Sequence, residues 1–279
     1  MSVDPTLRQF YAEEIQAAAA LSDGPQTDRL LNAFAAVPRE DHVQPGPWLL
    51  RSPLSGMPSR RTPDGDHRHL YHNVLVALDE ERGINIGEPA LWARFFSQAD
   101  IAEGASVLQV GAGSGYYTAI LAELVSPDGR VLATEIDGGL AAIACNAFSG
   151  RQNVSVRHTN GAADLDDGDG LFDLIVAFAG VTHPVPSWIE RLEPTGRMLL
   201  PVTGGDWWGA MVKFSRDDDA FDAITLGRCG FFPCEGARDD QASERIDRLW
   251  AEPKRLSGAK LRAFMQDGAM SYVIDGHVF

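Results

Sequence analysis

The sequence predicts an α/β fold: a doubly wound, mostly parallel, seven-stranded sheet covered by helices, with an antiparallel hairpin at its edge. Three observations predict it. Short apolar runs alternate with helical patterns over residues 101–202 at the spacing of right-handed crossovers. A glycine-rich turn stands where the first run meets its helix. Two β-rich runs joined by polar residues follow, the signature of a hairpin. At 279 residues and 44% hydrophobic, the chain can bury one large core or two small ones.

Helical patterns open the chain at residues 10–21, rich in Ala and Glu, and at 28–37, where Leu30, Leu31, Phe34 and Val37 share a face. Pro38 stops the second. Over residues 44–69 prolines recur with Gly, Arg and His, a composition that favours turns and predicts a long surface loop. The first central strand is Ser106–Val110, followed by a helix over Tyr116–Val125. A second strand is expected at 130–136, an Ala-rich helix at 138–148, and a third strand at 153–158. Phe172–Ala177 is the fourth strand, 186–192 a helix and 196–201 the fifth strand. The hairpin takes 208–215 and 221–229, turning through Arg216, Asp217, Asp218 and Asp219. Residues 236–279 are expected to be mostly helical with a short extended end. The implied organisation is a helical and loop region over 1–100 packed on the core, an α/β core with its hairpin over 101–235, and a C-terminal extension over 236–279.

The balance of 24 Lys plus Arg against 39 Asp plus Glu gives a net charge of −15. Such a charge repels phosphate backbones and argues against a nucleic-acid partner. No window approaches the roughly 20 apolar residues of a membrane span, and residues 1–9 carry Asp4 and Arg8 without an apolar signal core. Cys145, Cys229 and Cys234 are too few and scattered for a disulfide framework, so a cytoplasmic protein with idle thiols is expected.

The chemistry concentrates where Val107 to Val110 run into Gly111, Ala112, Gly113, Ser114, Gly115, Tyr116 and Tyr117. Glycines let a backbone approach a ligand closely, and the helix behind them favours a negative group. A nucleotide-like cofactor is the expected occupant. A dinucleotide fingerprint would place glycine where Tyr116 stands, which disfavours NAD or FAD. The second strand ends in Thr134, Glu135, Ile136 and Asp137, about 20 residues beyond the glycines, where a carboxylate can accept the hydroxyls of a ribose. Glu135 is the candidate for that contact and Asp137 for a helix cap.

These residues resemble the motifs of class I S-adenosylmethionine (SAM) methyltransferases, a Rossmann-like group. Further matches resemble the protein-L-isoaspartate O-methyltransferase family over roughly residues 8–235. Val37, Pro38, Arg39 and Glu40 with His42 and Val43 resemble its V-P-R-E-x-F-V segment. Tyr71 to Asn73 and Gly83 to Pro89 resemble its Y-x-D and G-Q-T-I-S-Q-P stretches. Asn153 and Val154 up to Asn160 and Gly161 resemble the strand and turn that reach the adenine, and Phe172 to Val176 with Leu192 to Val202 its fourth and fifth strands. The resemblance implies SAM as cofactor, bound by Gly111, Ala112, Gly113, Ser114, Gly115, Tyr116, Glu135, Ile136, Asn160, Gly161 and Ala177. It implies Asn85, Ile86 and Gly87 as the loop on the methyl and substrate side. It also implies carboxyl O-methylation of a protein or peptide aspartyl group, with no metal.

Three departures shape the expectation. Asn85, Ile86 and Gly87 stand where the family has T-I-S, so a hydroxyl is missing; isoaspartyl peptides should be poor substrates, and Gly87→Ser should improve them. Thr159, Asn160 and Gly161 replace G-D-G, and an amide oxygen can still accept from an adenine amino group. Extra sequence lies at 44–69 and at the C-terminus. A carboxylate acceptor is ionised at neutral pH and needs no general base, which fits the absence of a catalytic pair. A small-molecule carboxylate, the hydroxyl or amine of a small molecule, a tRNA adenine methyltransferase, a SAM-binding protein without repair activity and a nicotinamide oxidoreductase are the alternatives.

Lesser features have plainer readings. His67, His69 and His72 read as a solvated or substrate-facing loop rather than a metal site. The aspartates of 164–169 and 217–219 read as solvated connections. Trp207 and Trp208 read as hairpin packing ahead of pocket lining. Of Tyr116 and Tyr117, one should meet the cofactor and one the core.

Overall fold

The computed structural model describes residues 4–53, 57–218, 220–266, 269–274 and 276–279. Residues 1–3 of the N-terminal stretch, 54–56 of the expected loop and Asp219 of the hairpin turn lie outside the described residues. Helices α1 (Pro5–Ala19) and α2 (Pro25–Ala36) each begin on a proline, whose missing N–H costs nothing in a first turn. Both start earlier than their apolar patterns because these prolines, and the Asp4 side chain accepting from Thr6 N at 2.8 Å, set the boundary.

The stretch expected as a long loop instead contributes strands. β1 (Leu49–Arg51) and β2 (Arg60–Arg61) join β3 (Leu75–Asp79) and β4 (Ile84–Asn85) in an antiparallel sheet of order β2–β1–β3–β4. These strands are two to five residues long, too short to declare a period among prolines. Helix α3 (Pro89–Phe96) follows, eight residues long and almost wholly buried.

The central region alternates β5 (Ser106–Val110), α4 (Tyr116–Val125), β6 (Arg130–Glu135), α5 (Gly138–Ala147), β7 (Val154–His158), β8 (Phe172–Ala177), α6 (Pro186–Glu190) and β9 (Leu192–Thr203). Then come β10 (Trp208–Asp217), β11 (Ala220–Gly230), α7 (Asp240–Trp250), β12 (Ser257–Gln266), β13 (Ala269–Ile274) and β14 (His277–Val278). They build one sheet of order β14–β13–β12–β11–β10–β9–β8–β5–β6–β7. The five strands from β7 to β9 are parallel and the rest pair antiparallel.

The α/β class is therefore as expected, and the sheet is larger: ten strands, not seven. The β10–β11 hairpin is not its edge, because β12, β13 and β14 continue beyond it. That also corrects the mostly helical C-terminal extension, which is one helix and then strands. Leu261 and Ala263 are buried on either side of the half-exposed Arg262, a period of two that the polar residues around it blur.

Alternation sends the parallel strands into two cores. Val107, Leu174 and Val176 face one cluster with α1 to α4; Leu108, Val110, Ile175 and Ala177 face the other with Trp188, Ile246 and Trp250. Strand order reverses between β5 and β8, and in open α/β sheets ligands bind at the carboxyl ends of the strands at such a switch point.

Candidate active site

A cavity of about 890 Å3 opens at this switch point. Its floor is the turn from Gly111 to Ser114, and the three glycines of that region do different work. Gly113 has φ of 57° and open space where a Cβ would stand, so the backbone faces the cavity bare. Gly115 has φ of 90°, and a Cβ there would stand 2.8 Å from Phe148 Cε2; it packs α4 onto α5 and does not line the cavity. Gly111 lies beside Phe178 on the cavity wall. His42 fastens the turn from outside: buried, held neutral by that burial, it donates from Nδ1 to the Ser114 carbonyl at 3.0 Å.

Glu135 ends β6 against the turn. Its Oε2 accepts from Gly113 N at 2.7 Å and its Oε1 from Asp137 N at 2.9 Å. Burial raises its pKa, while those N–H groups pull the other way. Asp137 caps α5 through Leu140 N at 2.9 Å and binds Arg82 at 2.5 Å, the first contact being the larger reason its pKa is lowered. Ile136 presents an apolar, half-exposed side chain to the cavity.

Of the other expected residues, Asn85, Ile86, Gly87, Ala112, Ser114, Tyr116, Asn160 and Gly161 all line the cavity. Asn85 Oδ1 accepts from Gly87 N at 2.9 Å, so its side chain holds the turn. Gly161 is a packing glycine as well, since a Cβ would fall 2.1 Å from Thr134 Oγ1. Asn160 Oδ1 already accepts from Ala162 N at 3.0 Å and keeps one lone pair. Ala177 is displaced: it is fully buried in the sheet, and the next residues along, Phe178 and Ala179, reach the cavity. A side chain one step on points to the other side of a strand.

Gly87 departs from expectation in a further way. Its φ is 89°, and a Cβ would stand 3.0 Å from Tyr117 Cε2 and 3.3 Å from Trp92 Nε1. The Tyr117 ring crowds a side chain at 87 and the positive φ strains it, so Gly87→Ser does more than add a hydroxyl. Both tyrosines line the cavity and both are buried. Tyr116 Oη pairs with Tyr11 Oη at 2.9 Å. Desolvation keeps both phenols protonated.

Sequence reasoning missed the aromatic wall. Trp92 stacks on Phe178 with centroids 3.6 Å apart, and Tyr117 flanks both. It also missed Arg82 and Arg228, and read Trp208 as packing when it lines the cavity at 48% exposed. The aromatic spacing in α3 was the available signal. His67, His69 and His72 pair instead with Glu40, Asp64 and Glu14. Asp169 corrects the solvated reading of its loop: it is buried and bound by both nitrogens of Arg157, at 2.6 and 3.0 Å.

The residues fit a nucleoside-bearing cofactor. Ser114 Oγ and Tyr117 Oη are buried without hydrogen-bond partners among the described residues, the Gly113 face is open, and a buried carboxylate stands beside it. Glycine turn, strand-end carboxylate and switch-point cavity together define a class I SAM-dependent methyltransferase. Comparison with known proteins narrows this. A family model described as protein-L-isoaspartate(D-aspartate) O-methyltransferase matches residues 64–238. The protein-L-isoaspartate O-methyltransferase of Koribacter versatilis is 30% identical over 215 residues, 76% of this chain and 85% of that one. That of Methanopyrus kandleri is 32% identical over 171 residues, 58% and 73% of the two chains. A solved protein-L-isoaspartate O-methyltransferase shares the fold with TM-score 0.68 at 18% identity, over 97% of this chain and 86% of the other. A putative one from Plasmodium falciparum, in complex with S-adenosyl-L-homocysteine, gives 0.62 at 16%, over 82% and 98%. The chain belongs to the protein-L-isoaspartate(D-aspartate) O-methyltransferase family and is a SAM-dependent methyltransferase.

Proposed function

We propose that the chain methylates a carboxylate of a protein or peptide, with SAM held against the Gly111–Gly113 turn and Glu135. SAM when bound supplies an electrophilic methyl group, so the chain's own task is to hold donor and acceptor in line and to exclude water. Glu135, ionised, would accept the ribose hydroxyls. The bare backbone at Gly113 would take the amino-acid end, with Ile136 and Asn160 bordering the base. Trp92, Tyr117 and Phe178 wall the site in apolar surface, and Asn85 holds the Gly87 turn beside them.

One observation carries the choice of acceptor. Among the described residues no histidine lines the cavity, and its thiols and phenols are held protonated: burial pushes Cys234 up to about 12, Cys229 further, and both tyrosines upward. A hydroxyl would need a base with a pKa near the working pH, and an alkylamine would have to shed its proton first, whereas a carboxylate arrives ionised. A mouth rimmed by exposed aromatic side chains suits a polypeptide better than a small, enclosed substrate. Three free cysteines, two of them buried, support the cytoplasmic reading.

The test is incubation of the protein with methyl-labelled SAM and a panel of aspartyl and isoaspartyl peptides, followed by mild base. Label released as methanol is the expected result. Base-stable label in peptide, or label in RNA, would replace this reading with an N- or nucleobase-methyltransferase.

A further inference from the structure

The open end of the β10–β11 hairpin contributes Trp208, Arg228 and Gly230 to the cavity wall. There Trp208 pairs across the ladder with Gly230 and lies against it, since a Cβ on Gly230 would stand 2.9 Å from Trp208 Cε3. Arg228 sits over the ring, its Cζ 4.7 Å from the Trp208 centroid. Trp207 and Phe232 meet in a tilted pair with centroids 5.6 Å apart and planes at 46°. These three aromatic residues are 48%, 48% and 43% exposed. Trp207 is held at φ of 69°, a conformation that is an outlier for a bulky residue and that persists where surrounding structure enforces it, often at binding sites.

Of the other charged groups on the cavity wall, Arg82, Glu88, Glu135 and Asp137 are engaged, and Glu235 is exposed. Arg82 bridges Asp79 and Asp137 at 2.7 and 2.5 Å, and Glu88 accepts from Asn73 at 3.2 Å. Arg228 has a ring contact and, among the described residues, no carboxylate within ion-pair distance. A guanidinium stacked on an indole keeps its fork of donors free for a planar anion.

We propose that Arg228 and Trp208, with Trp207 and Phe232, form a subsite for an acidic side chain of the acceptor polypeptide close to the carboxylate that is methylated. This rests on the carboxyl-methylation reading and names the sequence context that reading prefers. Arg228 serves a second carboxylate and not the reacting one. Methyl transfer removes the acceptor's negative charge, so a guanidinium on the reacting oxygens would bind the ground state more tightly than the transition state and slow the step. A flanking carboxylate keeps its charge throughout and contributes binding that survives into the transition state. The net charge of −15 repels acidic peptides at long range, and screening confines that repulsion to about 8 Å at physiological salt. A contact pair at the mouth decides the preference.

The test uses two fluorescein-labelled peptides, each with one isoaspartyl residue, flanked by Glu in one and by Gln in the other. Anisotropy with the full-length protein and S-adenosyl-L-homocysteine gives affinity independently of turnover. The Glu peptide is expected to bind about tenfold more tightly than the Gln peptide. R228Q should abolish that difference, R228K should restore part of it, and S-adenosyl-L-homocysteine affinity should stay unchanged in both. Equal binding of the two peptides by the wild type, or an undiminished preference in R228Q, overturns the subsite. Preferential binding of the Glu peptide without base-labile methyl transfer to either peptide, or to the aspartyl peptides of the panel above, would instead overturn the carboxyl acceptor and leave the subsite standing.

Discussion

At the scale of single residues, the glycines of one turn separate into two duties, and substitution should separate them too. At Gly113 an added methyl meets nothing within 4 Å and suffers only the left-handed backbone, about 1–2 kcal/mol. At Gly115 it meets Phe148 at 2.8 Å and Ala144 at 3.3 Å on a backbone equally unfavourable, so strain and overpacking add to about 2–4 kcal/mol. Gly113→Ala should therefore weaken S-adenosyl-L-homocysteine more than it lowers the melting temperature, and Gly115→Ala should do the reverse. Calorimetry on both variants checks the contrast. Glu135 gives a pH signature. Burial raises its pKa in the free fold above the unfolded value, so stability from its neutral form is present at low pH and is lost as pH rises through the folded pKa. A ligand donating hydroxyls to the ionised carboxylate binds best where that form is already present. Affinity should accordingly rise with pH through the acidic range and then level off. Glu135→Gln should flatten the profile and cost about 1.5–3 kcal/mol at neutral pH; a profile unchanged in the variant would remove Glu135 from the site.

At the scale of elements, what was legible in the sequence follows how each element is stabilised. Strand Ser106–Val110, helix Tyr116–Val125 and strand Phe172–Ala177 have the bounds their patterns predict, because each is a buried run whose ends are set locally, by glycines or by the polar residues at its margins. Glu135 and the glycine turn were visible for the same reason: a local turn carries its own chemistry. The strands β1 to β4 and β12 to β14 were not, since β1 and β12 pair with the distant β3 and β11 and nothing within a two-residue strand such as Arg60–Arg61 announces its partner. The aromatic wall was hidden likewise, for Trp92 and Phe178 meet only after folding. The C-terminal strands lend themselves to a direct test. Tyr272 Oη donates to the Thr182 carbonyl at 2.8 Å, and β12 covers the edge of β11. Removing residues 257–279 would leave that edge unpaired and uncover apolar side chains facing Leu261, Ala263 and Met270. The truncated chain should aggregate at concentrations where the full chain is monodisperse by light scattering. A soluble, equally stable truncation would make these strands decoration.

At the scale of the whole molecule, the question is whether residues 1–100 form a unit that can come and go or a wall of the site. The packing favours a wall. Tyr11, Leu30 and Phe34 of α1 and α2 share one buried cluster with Trp92 of α3, Tyr116 and Ile120 of α4, and Val107 of β5. Arg39 sits fully buried between the Tyr11 and Tyr116 rings, 5.5 and 5.3 Å from their centroids, donating to the carbonyls of Leu70, His72 and Val74. A cation in such a place has nowhere else to put its hydrogen bonds, so opening this layer exposes it together with the cluster. Cofactor binding on the sheet should then stabilise the N-terminal layer and the core as one. At S-adenosyl-L-homocysteine a hundredfold above its Kd, linkage adds about 2.7 kcal/mol. For a large domain that corresponds to roughly 5–10 °C in Tm, at about 2–4 °C per kcal/mol. Scanning calorimetry should show a single transition that moves as a whole by that amount. Two transitions, of which only the later one responds to ligand, would mean that the layer bearing Asn85 and Gly87 melts apart from the sheet and that the methyl-side loop is assembled only when substrate arrives.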